Sequence, residues 1–233
     1  GSRSIKYRNP TTGVMRDFSY SNLNTDGYGA KYLNFCSKTP MPTQCGSLTS
    51  GQVTTANSGN NLVNFLRGDD QYEATTNPGN PLYREREAKL GDVINASPIY
   101  VKKSSLSYSD TGHAAHVTST ASRTGMLYAA ANDGMLHAFN ADTGNEVWAF
   151  VPSFVMPNMY KLADASYRDN HTYFVDGTPI VGDVYTGSTW KTILVGGLNS
   201  GGRGYYALDV TDPANPVALW EFTHANMGLT YGN

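Results

Sequence analysis

From Gly91 onward the apolar residues come in short runs broken by Gly, Asn and Asp: VINASPIYVK, GMLYAAAN, MLHAFNA, EVWAFVP, TPIVGDVY, WKTILVGGL, GYYALDV and PVALWEF. Brief apolar or alternating runs between turn residues are how β-strands read in sequence, so 91–233 is predicted to be all-β. One stretch interrupts them: FVMPNMYKLAD at 154–164 predicts a short helical insertion opened by Pro157. Ahead of Gly91 the pattern differs. Residues 1–48 hold turn signals at Asn9-Pro10, Thr12-Gly13, Asp26-Gly27 and Pro40-Met41-Pro42, which predict short strands and loops. A helix is expected from about Ser50 to Leu66, with Val53, Leu62, Val63 and Leu66 as its apolar contacts. Its middle, NSGNN, is poor helix material, so the firm part begins at Asn60. Residues 70–90 read as a polar connector ending in YREREAKL. The chain therefore divides into a lead-in, 1–90, and a β-unit, 91–233.

The β-unit repeats itself. YAAANDGMLHAFNADTGNEVWAF (128–150) and LVGGLNSGGRGYYALDVTDPANPVALWEF (194–222) each give two apolar strands, an Asp-centred turn and a Trp-bearing strand. Gly134 aligns with Gly204, Ala138 with Ala207, Asp142 with Asp212, and Trp148 with Trp220. A second echo precedes each unit: GDVINASPIYV (91–101), DGTPIVGDVY (176–185) and a truncated MGLTYGN (227–233). A four-stranded sheet cannot bury both faces alone, and stacking repeated sheets around an axis solves that problem. The expectation is a β-propeller in which the recurring Trp packs between neighbouring sheets. Two blades and the opening of a third fall short of the roughly four to eight that close a ring, so the sequence reads as a piece of a larger propeller.

Composition narrows the function. A formal net charge of −2 with only 15% charged residues leaves no basic surface for nucleic acid. No apolar run is long enough to span a membrane, and GSRSIKYRNP has no apolar leader core, so no signal peptide is expected within these residues. Abundant Tyr, Thr, Gly and Asn suit an extracellular β protein. Cys36 and Cys45 flank a Pro-rich stretch. In an oxidising compartment they would close a short loop; otherwise they are two separate thiols.

ANDGMLHAFNADTGNEVWAF resembles a quinoprotein-type propeller blade. The order LGDVINASPIYV, ANDGMLHAFNADTGNEVWAFVPS, YFVDGTPIVGDVY and WKTILVGGLNSGGRGYYALDVTDPANPVALWEF resembles the PilY/PilC family of type IV pilus biogenesis proteins and tip adhesins. The resemblance spans residues 60–233. It implies a non-enzymatic, exported protein of a Gram-negative bacterium, at the pilus tip, cell surface or outer membrane. Pilins and minor pilins would be its partners, and its roles pilus extension, twitching motility and attachment. It also implies calcium regulation through a loop elsewhere in the full-length protein, with no cofactor or metal ligand in this chain. The alternative is a quinone-dependent dehydrogenase propeller, which would need a complete ring, calcium and a quinone.

Individual motifs carry rival readings. Arg67-Gly68-Asp69 spells the integrin-recognition tripeptide, a possible host-receptor contact; equally, Gly68 caps the preceding helix between solvated charges. Asn22, Asn24, Asp26 and Gly27 imitate half a calcium loop, but Leu33 stands where a bidentate Glu belongs, so a polar turn is expected. Gly202-Arg203-Gly204 precedes a strand pattern, which predicts a hairpin turn and not a dinucleotide site. His113 and His116, near Asp110, are expected in an exposed loop tip without a third partner. No catalytic constellation is present among the familiar motifs.

Overall fold

A computed structural model describes residues 3–231. Two sheets organise it. The first has six strands in the order β2-β1-β6-β5-β4-β3. These are β1 (Ile5–Arg8), β2 (Met15–Asp17), β3 (Ile99–Val101), β4 (Met126–Ala131), β5 (Met135–Asn140) and β6 (Glu146–Phe150). The second is a four-stranded meander, β7 (Ile180–Tyr185), β8 (Trp190–Gly197), β9 (Tyr205–Asp209) and β10 (Val217–Phe222). Every apolar run from 91 onward contributes a strand, as the pattern predicts.

The repeat is structural, down to its defects. Ala138 pairs across the ladder with Trp148, and Ala207 pairs with Trp220. Each hairpin also carries a register shift close to that pair. Trp148 is 1% exposed and donates its indole Nε1–H to the Pro213 carbonyl at 2.8 Å, in the last turn of the second sheet. Phe150 meets Tyr206 with ring centroids 5.6 Å apart. One aromatic pair and one indole hydrogen bond thus join the two sheets face to face. Trp220 occupies the matching position on the far side of the second sheet and is 42% exposed, with Ile180, Val184, Val217 and Phe222 exposed beside it.

The lead-in does more than precede the sheets. β1 lies parallel to β6, with Ile5 opposite Ala149, and Ala149 N–H donates to the Ser4 carbonyl. It thereby covers the outer edge of the first sheet, an edge that would otherwise offer unpaired backbone groups. Behind it, Tyr7, Phe18, Tyr28 and Tyr32 form an edge-to-face cluster. The 154–164 insertion is a 3-10 helix over Met156–Ala163 with Pro at its start, and Tyr32 reaches Met159 from the lead-in.

Three expectations need correction. The single helix over 50–66 is two, α2 (Ser50–Ala56) and α3 (Gly59–Leu66), numbered after a short α1 (Tyr20–Thr25). Tertiary bonds impose the break: the Asn57 side chain accepts from Cys36 N–H at 2.7 Å and its carbonyl from Asn34 N–H at 3.0 Å. Gly59 must be glycine there, since a Cβ would lie 2.2 Å from the Tyr20 ring. The polar turn expected at Asn22 to Gly27 is in fact mostly helix, α1 followed by the turn that ends it, with Asp26 paired to Arg16 at 2.5 Å and bonded to Tyr7. The segment around His113 and His116 is no loose tip: it is a helix, α4 (His113–Thr120), and both imidazoles are buried. Gly202 and Gly204 do lie in the turn joining β8 to β9. The third echo, MGLTYGN, ends in residues outside the described range.

Candidate functional site

The tripeptide sits at the end of α3. Arg67 is its C-cap, and Gly68 follows with φ +103°, which glycine adopts without strain. The Arg67 guanidinium turns inward and donates to the carbonyls of Phe18 at 2.8 Å and Arg3 at 2.9 Å. Asp69 accepts from Gln71 N–H at 2.8 Å, and its own carbonyl is held by Arg86. Arg86 is itself clamped by the buried Glu73 and lies over the Phe65 ring. Cys36 and Cys45 are joined by a disulfide that closes their Pro-rich loop. That loop docks through Thr43, which donates to Asp164 from both its backbone and its hydroxyl.

Of the blade residues, Gly134 turns with φ +91°, and a Cβ on Gly204 would meet the Phe154 ring at 2.7 Å. Asp212 accepts from Ala214 N–H at 3.0 Å, but Asp142 is exposed, and the first turn is held by Asn140. Asn140 and Asp209 each accept the N–H two residues on, at 2.9 Å in both turns. This pair, two residues from the aligned Ala138 and Ala207, carries the equivalent turn chemistry.

Two buried polar clusters were not foreseen. In the first, His137 on β5 is fully buried between Glu146, 2.7 Å from Nδ1, and Asp133, 3.1 Å from Nε2, while Arg3 binds Glu146 with two nitrogens. Burial pulls the His137 pKa down, but the two carboxylates outweigh it and raise it to about 9. For Glu146, burial acts upward and is outweighed by Arg3 and His137, leaving it at about 2. The second cluster centres on Asp183 of β7. His113 and His116 reach its two oxygens through Nε2 at 2.9 and 3.1 Å, Thr192 donates at 3.3 Å, and Ser104 also donates. Burial would raise the Asp183 pKa; these donors lower it on balance. The cluster fastens α4, which belongs to the connection between β3 and β4, onto the second sheet. His113 Nδ1 accepts from Tyr108 N–H at 3.2 Å, so its Nε2 carries the proton given to Asp183 and is not free to ligate. Among the described residues no group of three His, Cys, Asp or Glu side chains is arranged to hold a metal ion. A signal for α4 existed: two His three apart in HAAHVTST share a helical face. Their partner lies 67–70 residues away, beyond any local pattern.

These clusters bond inward and fasten sheets, helix and lead-in together. Comparison with known proteins agrees with the stacked repeats. The family described as "PilY1 beta-propeller domain" matches residues 90–228, more than half of the chain. The chain belongs to this family. A type IV pilus biogenesis factor PilY1 homolog of Xylella fastidiosa (strain Temecula1) is 37% identical over 225 residues, 93% of this chain and 18% of that protein. The type IV pilus biogenesis factor PilY1 of Pseudomonas aeruginosa (strain PAO1) is 42% identical over 171 residues, 70% of this chain and 14% of that protein. The crystal structure of the P. aeruginosa PilY1 C-terminal domain aligns with TM-score 0.42 and 35% identity, over 53% of this chain and 25% of that one. The chain thus spans under a fifth of the curated PilY1 relatives named here. No helix among its described residues is long and apolar enough to cross a membrane.

Proposed function

We propose that this chain is part of a type IV pilus biogenesis factor and works as a non-catalytic propeller segment in pilus assembly at the cell surface. The observation that carries this is its membership of the PilY1 propeller family, with PilY1 relatives named as pilus biogenesis factors. The inward-bonded clusters support it, because they serve the joining of sheets. Pilins and minor pilins are the partners this reading implies, and twitching motility and attachment the behaviours that depend on them. Calcium control belongs, on this proposal, to parts of the protein outside this chain. The exposed face around Trp220 is where a further blade of a larger propeller stacks, since the equivalent face around Trp148 is covered by the second sheet. A receptor role for Arg67-Gly68-Asp69 would require Arg67 to leave two backbone carbonyls, so helix capping is the reading its geometry favours. No observation favours the quinone-dependent dehydrogenase.

The test is an in-frame chromosomal deletion of residues 90–228. Surface pilin, sheared from cells and quantified, should fall to near background, and twitching zones should vanish. Unchanged surface pilin would contradict the proposal.

A further inference from the structure

A cleft of about 1070 Å³ lies between the connector that ends the lead-in and the stretch that follows the 3-10 helix, with Asn132 and Asp133 of the turn between β4 and β5 in its lining. That volume is at the top of the small-molecule range and has room for several residues of an extended chain. Most charged groups on its walls are already matched. Arg86 and Lys89 meet Glu73, and Asp92 accepts from Asn132 and pairs with His171. Asp133 holds the Gly91 N–H and His137, and Glu85 accepts from Thr75 N–H. Two arginines are not matched. Arg84 lies over the Tyr167 ring, 4.7 Å from its centroid, and gives its Nε to the Leu162 carbonyl at 2.9 Å. Its two Nη nitrogens have no acceptor among the described residues, and they are open to solvent, not sealed. Arg168 is exposed and makes no hydrogen bond or ion pair among the described residues. Glu87, also exposed and unbonded there, is the single lining carboxylate left over.

The rim of the cleft supplies a second, independent feature. Residues 87–90 form no helix or strand and are all exposed, and their four backbone N–H groups have no acceptor among the described residues. Leu90 ends this row with 45% of its surface exposed. Free main-chain donors beside free guanidinium groups suit one kind of occupant. An extended peptide offers carbonyls to the donors and carboxylates to the arginines. A small free anion would use the arginines alone, and a helical partner would have its own carbonyls engaged.

We propose that this cleft docks an extended, acidic peptide segment of a partner protein, its carboxylates pairing with Arg84 and Arg168 and its main-chain carbonyls accepting from residues 87–90. This goes beyond the pilus-assembly reading and does not depend on it, because binding is measured on the purified chain.

The probe is an acetylated, amidated hexapeptide of alternating Glu and Ala, titrated calorimetrically into the chain, with its Gln-Ala counterpart and free glutarate as partial analogues. The expected result is one saturable site for the Glu-Ala peptide. Both analogues should bind at least about tenfold more weakly, as loss of the charged or of the main-chain hydrogen bonds implies. Arg84→Gln should weaken the peptide strongly. Because that variant also loses the contacts to Leu162 and Tyr167, Arg168→Glu provides a second test: at an exposed position without bonds, it should leave melting unchanged and weaken the peptide severalfold. Glu87→Gln removes a like charge from the wall and should tighten binding. Absence of saturable Glu-Ala binding overturns the proposal. So does glutarate or the Gln-Ala peptide binding as well as the Glu-Ala peptide, or affinity that folded Arg168→Glu and Glu87→Gln variants both leave unchanged.

Discussion

Trp148 and Trp220 hold equivalent positions but differ in what surrounds them. Trp148 is enclosed and hydrogen-bonded, so Trp148→Ala should cost about 3–5 kcal/mol, the usual range for emptying a large aromatic site. Trp220→Ala in this chain should cost under about 1 kcal/mol, since the ring is 42% exposed. Urea denaturation of both variants measures the contrast. His137 makes a pH prediction. Its pKa is raised in the fold from 6.5 to about 9, so its stabilising contribution is complete below pH 6.5 and disappears as pH climbs to 9. Glu146 works in the opposite sense: held at about 2 against an ordinary 4.5, its contribution is complete above pH 4.5 and lost as pH falls toward 2. Thermal melts should therefore decline on both sides of a plateau at roughly pH 4.5–6.5, and His137→Gln should flatten the alkaline limb. An alkaline limb unchanged in that variant would show that other groups set it.

At the scale of elements, α4 depends on one carboxylate. Asp183→Ala strands two imidazole N–H groups and two hydroxyls, and should raise hydrogen exchange across residues 102–125 before the sheets respond. Exchange in that segment matching the parent would contradict the fastening role. The disulfide closes a loop with sequence separation 9, and replacing both cysteines with serine should cost about 3 kcal/mol by chain entropy, read from denaturation midpoints. What was legible in the sequence follows the same division. The strands were readable because each is a local apolar run between turn residues, and the repeat because it recurs in tandem. The helix break at Asn57 was not, because bonds from Asn34 and Cys36 impose it. Nor was α4, whose weakly amphipathic sequence is buried by a distant Asp183. The lead-in strand β1 was expected only as a short strand; its parallel pairing to β6 across more than 140 residues leaves no local trace.

The whole molecule is two stacked sheets, with the first sheet's outer edge covered by the lead-in. Its polar clusters are consumed in holding that arrangement, which suits a part that assembles with others. If the chain acts through its stacked sheets, breaking the stack must cost pili. The direct measurement is sheared surface pilin in a strain whose only copy of the gene carries Trp148→Ala, with melting of the purified variant chain as its companion. Surface pilin is expected to fall with the lowered melting temperature. Full piliation from a protein whose sheets have come apart would contradict it.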